Sequence, residues 1–276
     1  MKKYLSLISA IIAAAMVTTV SAQTMQDGTV KVVSLKGAAR FMMVAGAEWK
    51  PVKVGLMLKS GAVIQTAADS YVDLVLNNAK ATQGLSSALS NDEPSMPAAA
   101  SSAASANDGY KPKAIQDAIR IFENSVMSVD KLTVTKTGAD TVTETQLDLK
   151  AGRIFGTVKK LSAASLYEIK VPNGVAGIRG TIYLIGADGV VSVLTGSVVI
   201  SYVSNGAVVT KEVPAGNQFN PATGQVTPIT NPLIKQLIRL AQIFDKYVQF
   251  PATSYIFVDH TLHNVSPTTI NVTPVK

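Results

Sequence analysis

The sequence contains no cysteine, few aromatic residues and little charge. Its 276 residues include one Trp, 6% aromatic residues and 16% charged residues, with a formal net charge of +7. The absence of cysteine excludes disulfides, a thiol nucleophile and a lipid-modified amino-terminal cysteine. Because aromatic residues are scarce and basic residues are scattered, a stacking platform for nucleic acid is not expected. Because no disulfide can form, a hydrophobic core must hold the chain together.

Sequence signatures of enzymes are also missing. No Gly-x-Ser-x-Gly elbow occurs, and no glycine-rich stretch has the spacing of a nucleotide loop. The carboxylate pairs Asp69 with Asp73 and Glu144 with Asp148 fall within strand-like runs, and we interpret them as exposed polar positions. We therefore predict a protein that is not an enzyme and that holds no cofactor.

Two histidines near the carboxyl terminus are the only candidates for a metal pair. His260 and His263 are close enough in sequence to bind one ion. Strong zinc signals, however, include Cys or a Glu on a helix, and neither is present here. We interpret both as solvated histidines and predict no metal site.

The amino terminus has the pattern of a secretory signal peptide. Lys2 and Lys3 give a basic start, an apolar run follows to Val20, and small residues precede Gln23. We predict that residues 1–22 are the signal peptide and that the protein is periplasmic or secreted. An uncleaved membrane anchor is the alternative. No other run approaches the roughly 18 apolar residues of a spanning helix.

The middle of the chain alternates short β-favouring runs with turn residues. Val72, Leu74 and Leu76 show the period of two that is typical of half-buried strands, and pairs such as Asp188-Gly189 mark turns. Many short strands favour a sandwich, barrel or solenoid over an α/β enzyme. We interpret Trp49 as a core residue rather than a binding platform.

Two segments depart from this pattern. Residues 78–112 are rich in Ala, Ser, Asn, Asp and Pro, and we predict a low-complexity surface insertion there. Residues 231–276 are predicted to form a carboxyl-terminal helix and tail. Asn231 and Pro232 can begin an amphipathic helix, which we expect to pack on its own domain rather than on a membrane or partner.

The stretch that organises the chain is residues 174–181, which read GVAGIRGT. Three glycines in eight residues suit a place where backbone approaches backbone. Arg179 lies among apolar residues, and two interpretations stay open. It is either a structural arginine, whose buried head needs carboxylate or carbonyl partners, or a contact to an anionic ligand.

The motifs around this stretch resemble the FecR domain family. The matching pieces stand in the expected order at Trp49, Gly55, residues 61–66, 71–76, 147–154, 178–181, 193–198 and 213–218. The resemblance extends over residues 28–227, and it pairs residues 119–125 with a strand although residues 115–122 show helical spacing. It implies a stacked β architecture. We predict an all-β, twisted solenoid-like β-sandwich of many short strands over residues 23–230, followed by the carboxyl-terminal amphipathic helix.

Members of this family commonly relay a signal from an outer-membrane receptor to a sigma factor, through a cytoplasmic segment and one transmembrane helix. The sequence shows neither, so the resemblance implies only the extracytoplasmic module. We expect an exported, non-enzymatic domain that acts as an envelope binding or signalling module through protein–protein contacts. The alternatives are a structural or surface-assembly protein and a binder of an anionic envelope polymer. A partner is expected near Arg179, Gly177, Gly180 and Thr181.

Overall fold

The computed structural model describes residues 25–43, 46–77, 111–137, 140–248, 256–258 and 261–263. The predicted signal peptide and residues 78–110 of the predicted insertion lie outside the described residues. Both therefore stay predictions.

The described chain consists mostly of strands, with one helix near its carboxyl end. The helix α1 spans Asn231–Val248. The strands are β1 (Met25–Asp27), β2 (Thr29–Lys36), β3 (Ala39–Met42), β4 (Lys50–Pro51), β5 (Met57–Leu58), β6 (Val63–Thr66), β7 (Tyr71–Asn77), β8 (Ala118–Ile121), β9 (Val126–Thr137), β10 (Asp140–Ala151), β11 (Arg153–Thr157), β12 (Leu166–Val171), β13 (Gly174–Ile178), β14 (Ile182–Gly186), β15 (Val191–Thr195), β16 (Ser197–Ser204), β17 (Ala207–Pro214), β18 (Asn217–Asn220), β19 (Gln225–Pro228), β20 (Ile256–Val258) and β21 (Thr261–His263).

Two large sheets face each other. Sheet I has the order β4-β3-β6-β9-β10-β12-β13-β16-β17, with β1 also paired to β9, and sheet II has the order β5-β2-β7-β8-β11-β14-β15-β18-β19. From β6 onward both orders follow the chain toward the far end of the sandwich, because the chain crosses between the sheets after every one or two strands. The predicted all-β, solenoid-like sandwich with a carboxyl-terminal helix is confirmed. Strands β20 and β21 form a separate hairpin.

The main core lies between the two sheets. Val72, Leu74 and Leu76 of β7 contribute to it from sheet II, as their period of two predicts, and Leu147 and Leu149 of β10 contribute from sheet I. All five side chains are buried. Full burial of such a side chain contributes about 1.5–3 kcal/mol relative to exposure, so this layer supplies the stability that disulfides do not.

A second apolar cluster lies on the outer face of sheet II, under α1. Phe155 of β11 and Ile182 of β14 pack against the helix, and the rings of Phe155 and Phe244 stack with centroids 5.5 Å apart. The helix thus packs on its own domain, as expected. The whole of β8 is buried because its two faces serve the two clusters. Because β8 is buried on both faces, residues 115–122 read as a largely apolar run, and its spacing alone could not distinguish a helix from a strand.

The helix begins where its first backbone bond forms. The amide of Ile234 donates to the carbonyl of Thr230 over 3.0 Å, so Thr230, rather than Asn231, occupies the capping position. Pro232 lies in the first turn of the helix. Backbone N–H groups there have no acceptor within the helix, so the N–H that proline lacks costs no hydrogen bond. Within the described residues, no helix combines the length and the apolar character that crossing a membrane requires.

Trp49 is not the core residue that the sequence suggested. It is half-buried at the edge of the sandwich beside β4. The guanidinium of Arg40 on β3 lies 4.5 Å from the centre of its ring. The indole is therefore covered on one side by a cation, which accounts for its partial burial.

Candidate functional site

The GVAGIRGT stretch is the point at which the chain crosses from sheet I to sheet II. Strand β13 ends at Ile178, and β14 begins at Ile182 on the other sheet. Thr181 anchors the crossing: its backbone exchanges two 2.9 Å hydrogen bonds with Val158, and its hydroxyl donates to the carbonyl of Ser197 over 2.9 Å. Thr181 is fully buried, so its role here is to hold the corner.

The predicted close backbone approach accounts for only part of the glycines at this corner. Gly180 has a φ of 67°, which other residues rarely adopt. Gly196 has a φ of 77°, and a Cβ there would lie 2.4 Å from the carbonyl oxygen of Gly180. Gly177 is different, because a Cβ there would lie 3.7 Å from the carbonyl oxygen of Val199. Gly177 therefore leaves a shallow place on the sheet instead of avoiding a collision.

Arg179 is exposed at the end of β13. In the described part of the chain it makes no hydrogen bond and no ion pair, so the interpretation of a buried, clamped arginine is wrong. Whether this arginine contacts a ligand stays a prediction.

Exposed valines lie on the outer face of sheet I, and one of them is beside Gly177. Val199 of β16 is opposite Gly177 and is 45% exposed. Val203 of β16 is opposite Val208 of β17, and these side chains are 57% and 74% exposed. We call Val199, Val203 and Val208 the valine patch. Large apolar side chains that stay exposed together on one face mark candidate contact surfaces.

Strand β17 is the edge of sheet I at this patch, since within the described strands it pairs only with β16. The amide of Val203 donates to the carbonyl of Asn173 over 3.1 Å, so this residue of β16 turns its backbone polar groups away from β17. Because such groups alternate along an antiparallel pair, the register leaves the N–H and C=O of Val208, Thr210 and Glu212 facing outward.

A buried polar network lies on the outer face of sheet II. Arg120 of β8 donates to both carboxylate oxygens of Asp73 on β7, over 2.6 and 2.7 Å, and the hydroxyl of Tyr247 on α1 donates to Asp73 over 2.7 Å. The Arg120 guanidinium also lies 3.9 Å from the ring centre of Tyr71. Asp73 is 0% exposed. Our interpretation of Asp73 as an exposed position was wrong, because the helix covers it and Arg120 neutralises its charge.

Burial and charge set the protonation of this network. Burial alone would lower the pKa of Arg120, but the hydrogen bond and the negative charge of Asp73 outweigh it, and the pKa is raised. Burial, reinforced by Asp73, raises the pKa of Tyr247 well above its usual value. Arg120 is thus held charged and Tyr247 neutral, an arrangement that fixes the helix and offers no proton near neutral pH.

A second polar group is buried between the sheets. The hydroxyls of Tyr167 and Tyr183 lie 3.4 Å apart, and the carboxylate of Asp117 accepts a 2.9 Å hydrogen bond from the amide of Lys159. Burial raises the pKa of both tyrosines well above the usual value. These hydroxyls therefore stay protonated and serve packing.

The other carboxylates singled out in the sequence lie at the surface. Asp69 is exposed, and Glu144 and Asp148 are half-buried. Glu144 pairs with Lys131 over 2.7 Å, and Asp148 approaches Lys150 at 3.8 Å. Glu144 and Asp148 therefore belong to surface ion pairs rather than to a carboxylate pair.

The predicted histidine pair is not described in full. His263 lies at the end of β21, and His260 lies outside the described residues. In the part of the chain that the structure covers, no cluster of three or more His, Cys, Asp or Glu side chains could hold a metal ion.

Comparison with solved structures finds two crystal structures assigned to an anti-sigma factor from Parabacteroides distasonis ATCC 8503, at 2.50 and 1.65 Å resolution. This chain is 12% and 13% identical to them, with TM-scores of 0.30 and 0.31. The similar region covers 44% of this chain and 54% of each solved chain, so the chain spans about half the length of the structures it matches. No curated protein matches it.

Comparison with protein families finds one match in the middle of the chain. Residues 114–199 match the family described as FecR protein. This span runs from just before β8 into β16 and includes the crossing at residues 174–181 with Arg179 and Thr181. The resemblance of the sequence to the FecR domain family is therefore confirmed over residues 114–199.

Proposed function

We propose that this chain is an exported, non-enzymatic FecR-like module that binds a partner protein by adding a strand of that partner to β17. The observation that carries the proposal is the free edge of β17 beside the valine patch. The FecR-family match over residues 114–199 supports a regulatory binding role over catalysis. The signal-peptide pattern of residues 1–22 supports a periplasmic or secreted location.

The unpaired backbone groups along the edge of β17 favour an extended peptide segment of the partner as the bound group. The outward N–H and C=O groups of Val208, Thr210 and Glu212 alternate at the spacing of a strand, so one added strand would satisfy all of them. Val203 and Val208 then supply an apolar contact for alternate side chains of the incoming strand. Arg179 lies at the end of β13, on the same sheet, where it would contact a carboxylate of the partner.

The two alternatives fit the structure less well. Assembly through the carboxyl-terminal helix would need a free apolar face, but Leu237 and Phe244 of α1 are buried against sheet II. An anionic polymer would need clustered basic side chains, whereas Lys131 and Lys170 on the outer face of sheet I are paired with Glu144 and Asp130. The edge of β17 is therefore the favoured surface.

The test uses one position with two substitutions. Thr210→Pro removes an outward N–H that is not needed within the sheet, and Thr210→Val keeps that N–H while removing the same hydroxyl. The chain from Gln23 is immobilised and exposed to solubilised envelope, with Arg179→Ala and Val54→Lys as further baits. Val54 is 43% exposed and lies away from β17, which makes it the surface control.

We expect wild type, Thr210→Val and Val54→Lys to retain the same protein, Thr210→Pro to lose it, and Arg179→Ala to retain less. Hydrogen exchange with the retained protein bound should then slow at residues 208, 210 and 212. Equal retention by Thr210→Pro would overturn strand addition. Retention of only an anionic polymer that about 0.5 M salt removes would overturn the protein-partner function.

A further inference from the structure

A recess of about 410 Å³ opens on the outer face of sheet II, away from the valine patch. It is lined by Arg153 of β11, Leu184 of β14 and Ser192 of β15, and by the turn residues Glu123 and Asp188. The cross-strand register places Leu184 and Ser192 side by side. We call this cavity the sheet II recess.

Ser192 is the feature of the recess that the fold does not explain. Ser192 is 1% exposed, yet its hydroxyl makes no hydrogen bond with any residue that the structure describes. Buried hydroxyls are nearly always paired, because an unpaired one loses its bonds to water without replacement. A buried, unpaired hydroxyl that lines a cavity indicates a bound group that completes it.

The charges around Ser192 specify what that group carries. Glu123 and Asp188 are exposed, and each accepts one backbone N–H, from Asp69 over 3.2 Å and from Val190 over 3.0 Å. Neither carboxylate makes an ion pair within the described residues. Each keeps free acceptor capacity, so the rim of the recess presents acceptors.

The remaining charge in the recess is the guanidinium of Arg153. It lies 4.9 Å from the ring centre of Phe122, and it too forms no ion pair with a described carboxylate. Two carboxylates and one guanidinium give the described charged groups of the recess a formal net charge of −1, which favours a cationic group over an anionic one.

We propose that the sheet II recess receives the side chain of a lysine or arginine of the partner protein, an inference that rests on the proposed partner-binding function. The cationic head would donate to Glu123, Asp188 and the hydroxyl of Ser192, all of which accept. Leu184 and Val190 would pack against the methylene groups of the same side chain. A metal ion would make no use of this apolar surface.

The test is an NMR titration of the whole chain with N-acetyl-arginine amide, using N-acetyl-citrulline amide as a neutral probe of nearly the same shape. We expect saturable shifts at Leu184, Gly186 and Ser192 with the arginine probe and none with citrulline. Ser192→Ala should weaken binding about fivefold or more, since a hydrogen bond to a charged group is lost. Glu123→Gln with Asp188→Asn should abolish it, whereas the exposed pair Asp27→Asn with Asp140→Asn should leave it unchanged.

Each outcome decides one proposal. No shifts, or shifts that the Asp27→Asn/Asp140→Asn control reduces as much as the Glu123→Gln/Asp188→Asn variant, would overturn the recess as a cation site. If the arginine probe binds but the envelope experiment captures no protein, the proposed function fails and the recess does not. A captured protein whose affinity is the same for wild type and for the Glu123→Gln/Asp188→Asn variant would overturn the assignment of its basic side chain to this recess.

Discussion

Tyr247 and Asp73 lie 174 residues apart in sequence and are joined by a 2.7 Å hydrogen bond. One belongs to the last turn of α1 and the other to β7, among the first strands of sheet II. The bond therefore connects the carboxyl-terminal helix to the amino-terminal part of the sandwich. Tyr247 donates to Oδ2 of Asp73, the same oxygen that accepts from Nη2 of Arg120.

Removing the hydroxyl of Tyr247 should loosen this connection. We expect Tyr247→Phe to lower the free energy of unfolding by about 1–2 kcal/mol, since a hydrogen bond to a buried charge is lost while the ring is retained. Lys246→Ala alters an exposed neighbour in the same turn and should cost less than about 0.5 kcal/mol. Urea denaturation followed by circular dichroism measures both. Equal stabilities of the two variants would contradict the role of the bond.

The buried ion pair should be more costly to break than to replace. Asp73→Asn leaves the guanidinium of Arg120 buried without its counter-charge, and we expect a loss of about 3–5 kcal/mol. The double variant Asp73→Leu with Arg120→Met removes both charges and should be more stable than Asp73→Asn alone. Chemical denaturation of the three proteins checks the order. A double variant that is less stable than the single one would show that the pair is needed for the fold beyond its charge balance.

The crossing between the sheets can be tested at a pair of glycines with the same backbone conformation. Gly196 has a φ of 77° and Gly206 a φ of 78°, but only at Gly196 would a Cβ meet another atom, the carbonyl oxygen of Gly180 at 2.4 Å. Both alanine variants pay about 1–2 kcal/mol for a left-handed backbone. We expect Gly196→Ala to lose measurably more stability in thermal unfolding. Equal losses would mean that the close approach at the corner is not needed.

The buried tyrosines should make the protein sensitive to alkali. Tyr167, Tyr183 and Tyr247 all have a raised pKa in the folded chain, so the folded state binds their protons more tightly than the unfolded state does. The stability they contribute is fully present below about pH 10, the unperturbed tyrosine pKa, and falls as pH rises above it. Each contributes a slope of up to about 1.4 kcal/mol per pH unit.

We expect these three tyrosines to ionise only as the chain unfolds, in a titration of tyrosinate absorbance followed together with circular dichroism. Tyr247→Phe should show a shallower loss of stability with pH than wild type. Ionisation of all tyrosines near pH 10 with the β signal intact would contradict the burial of these hydroxyls.

The helix should be needed for the fold. Phe244→Ala removes the ring that stacks on Phe155, and we expect a loss of about 3–5 kcal/mol. The exposed Gln242→Ala on the same helix should have little effect. A chain ending at Thr230 would uncover Phe155 and Ile182, and we expect it to bind a hydrophobic dye and to unfold at a lower urea concentration. A truncated chain as stable as wild type would show that α1 is an accessory.

The sequence predicted the architecture but not the polar network. The period of two on β7 and the glycines of the crossing report local constraints, namely one buried face and one close backbone approach, so both could be recognised from the chain alone. Asp73 could not, because the groups that cover it come from β8 and α1. The prediction of Trp49 as a core residue was wrong for the same reason, because the Arg40 side chain that covers its ring belongs to β3.

The candidate surfaces show the same limit. Arg179 could be picked out in the sequence because it is a lone charge among apolar residues, but its exposure depends on where the chain crosses between sheets. The outward backbone groups of β17 follow from its position at the end of sheet I, which only the pairing of all the strands determines. No local signal marks Ser192, whose hydroxyl stands out only because the described residues around it offer no hydrogen-bond partner.

The order of the strands has a consequence for how the molecule is made. From β8 onward each new strand joins its sheet beside the last strand already formed, so the sandwich can grow in one direction while the chain is being synthesised. During this growth, the edge that receives the next strand is the last strand added to each sheet. Among the described strands, growth of sheet I stops at β17, whose outer edge keeps the backbone groups that strands β6 to β16 of this sheet used to bind the next strand. A strand from a partner would then be the next step of the same growth, supplied by a different polypeptide.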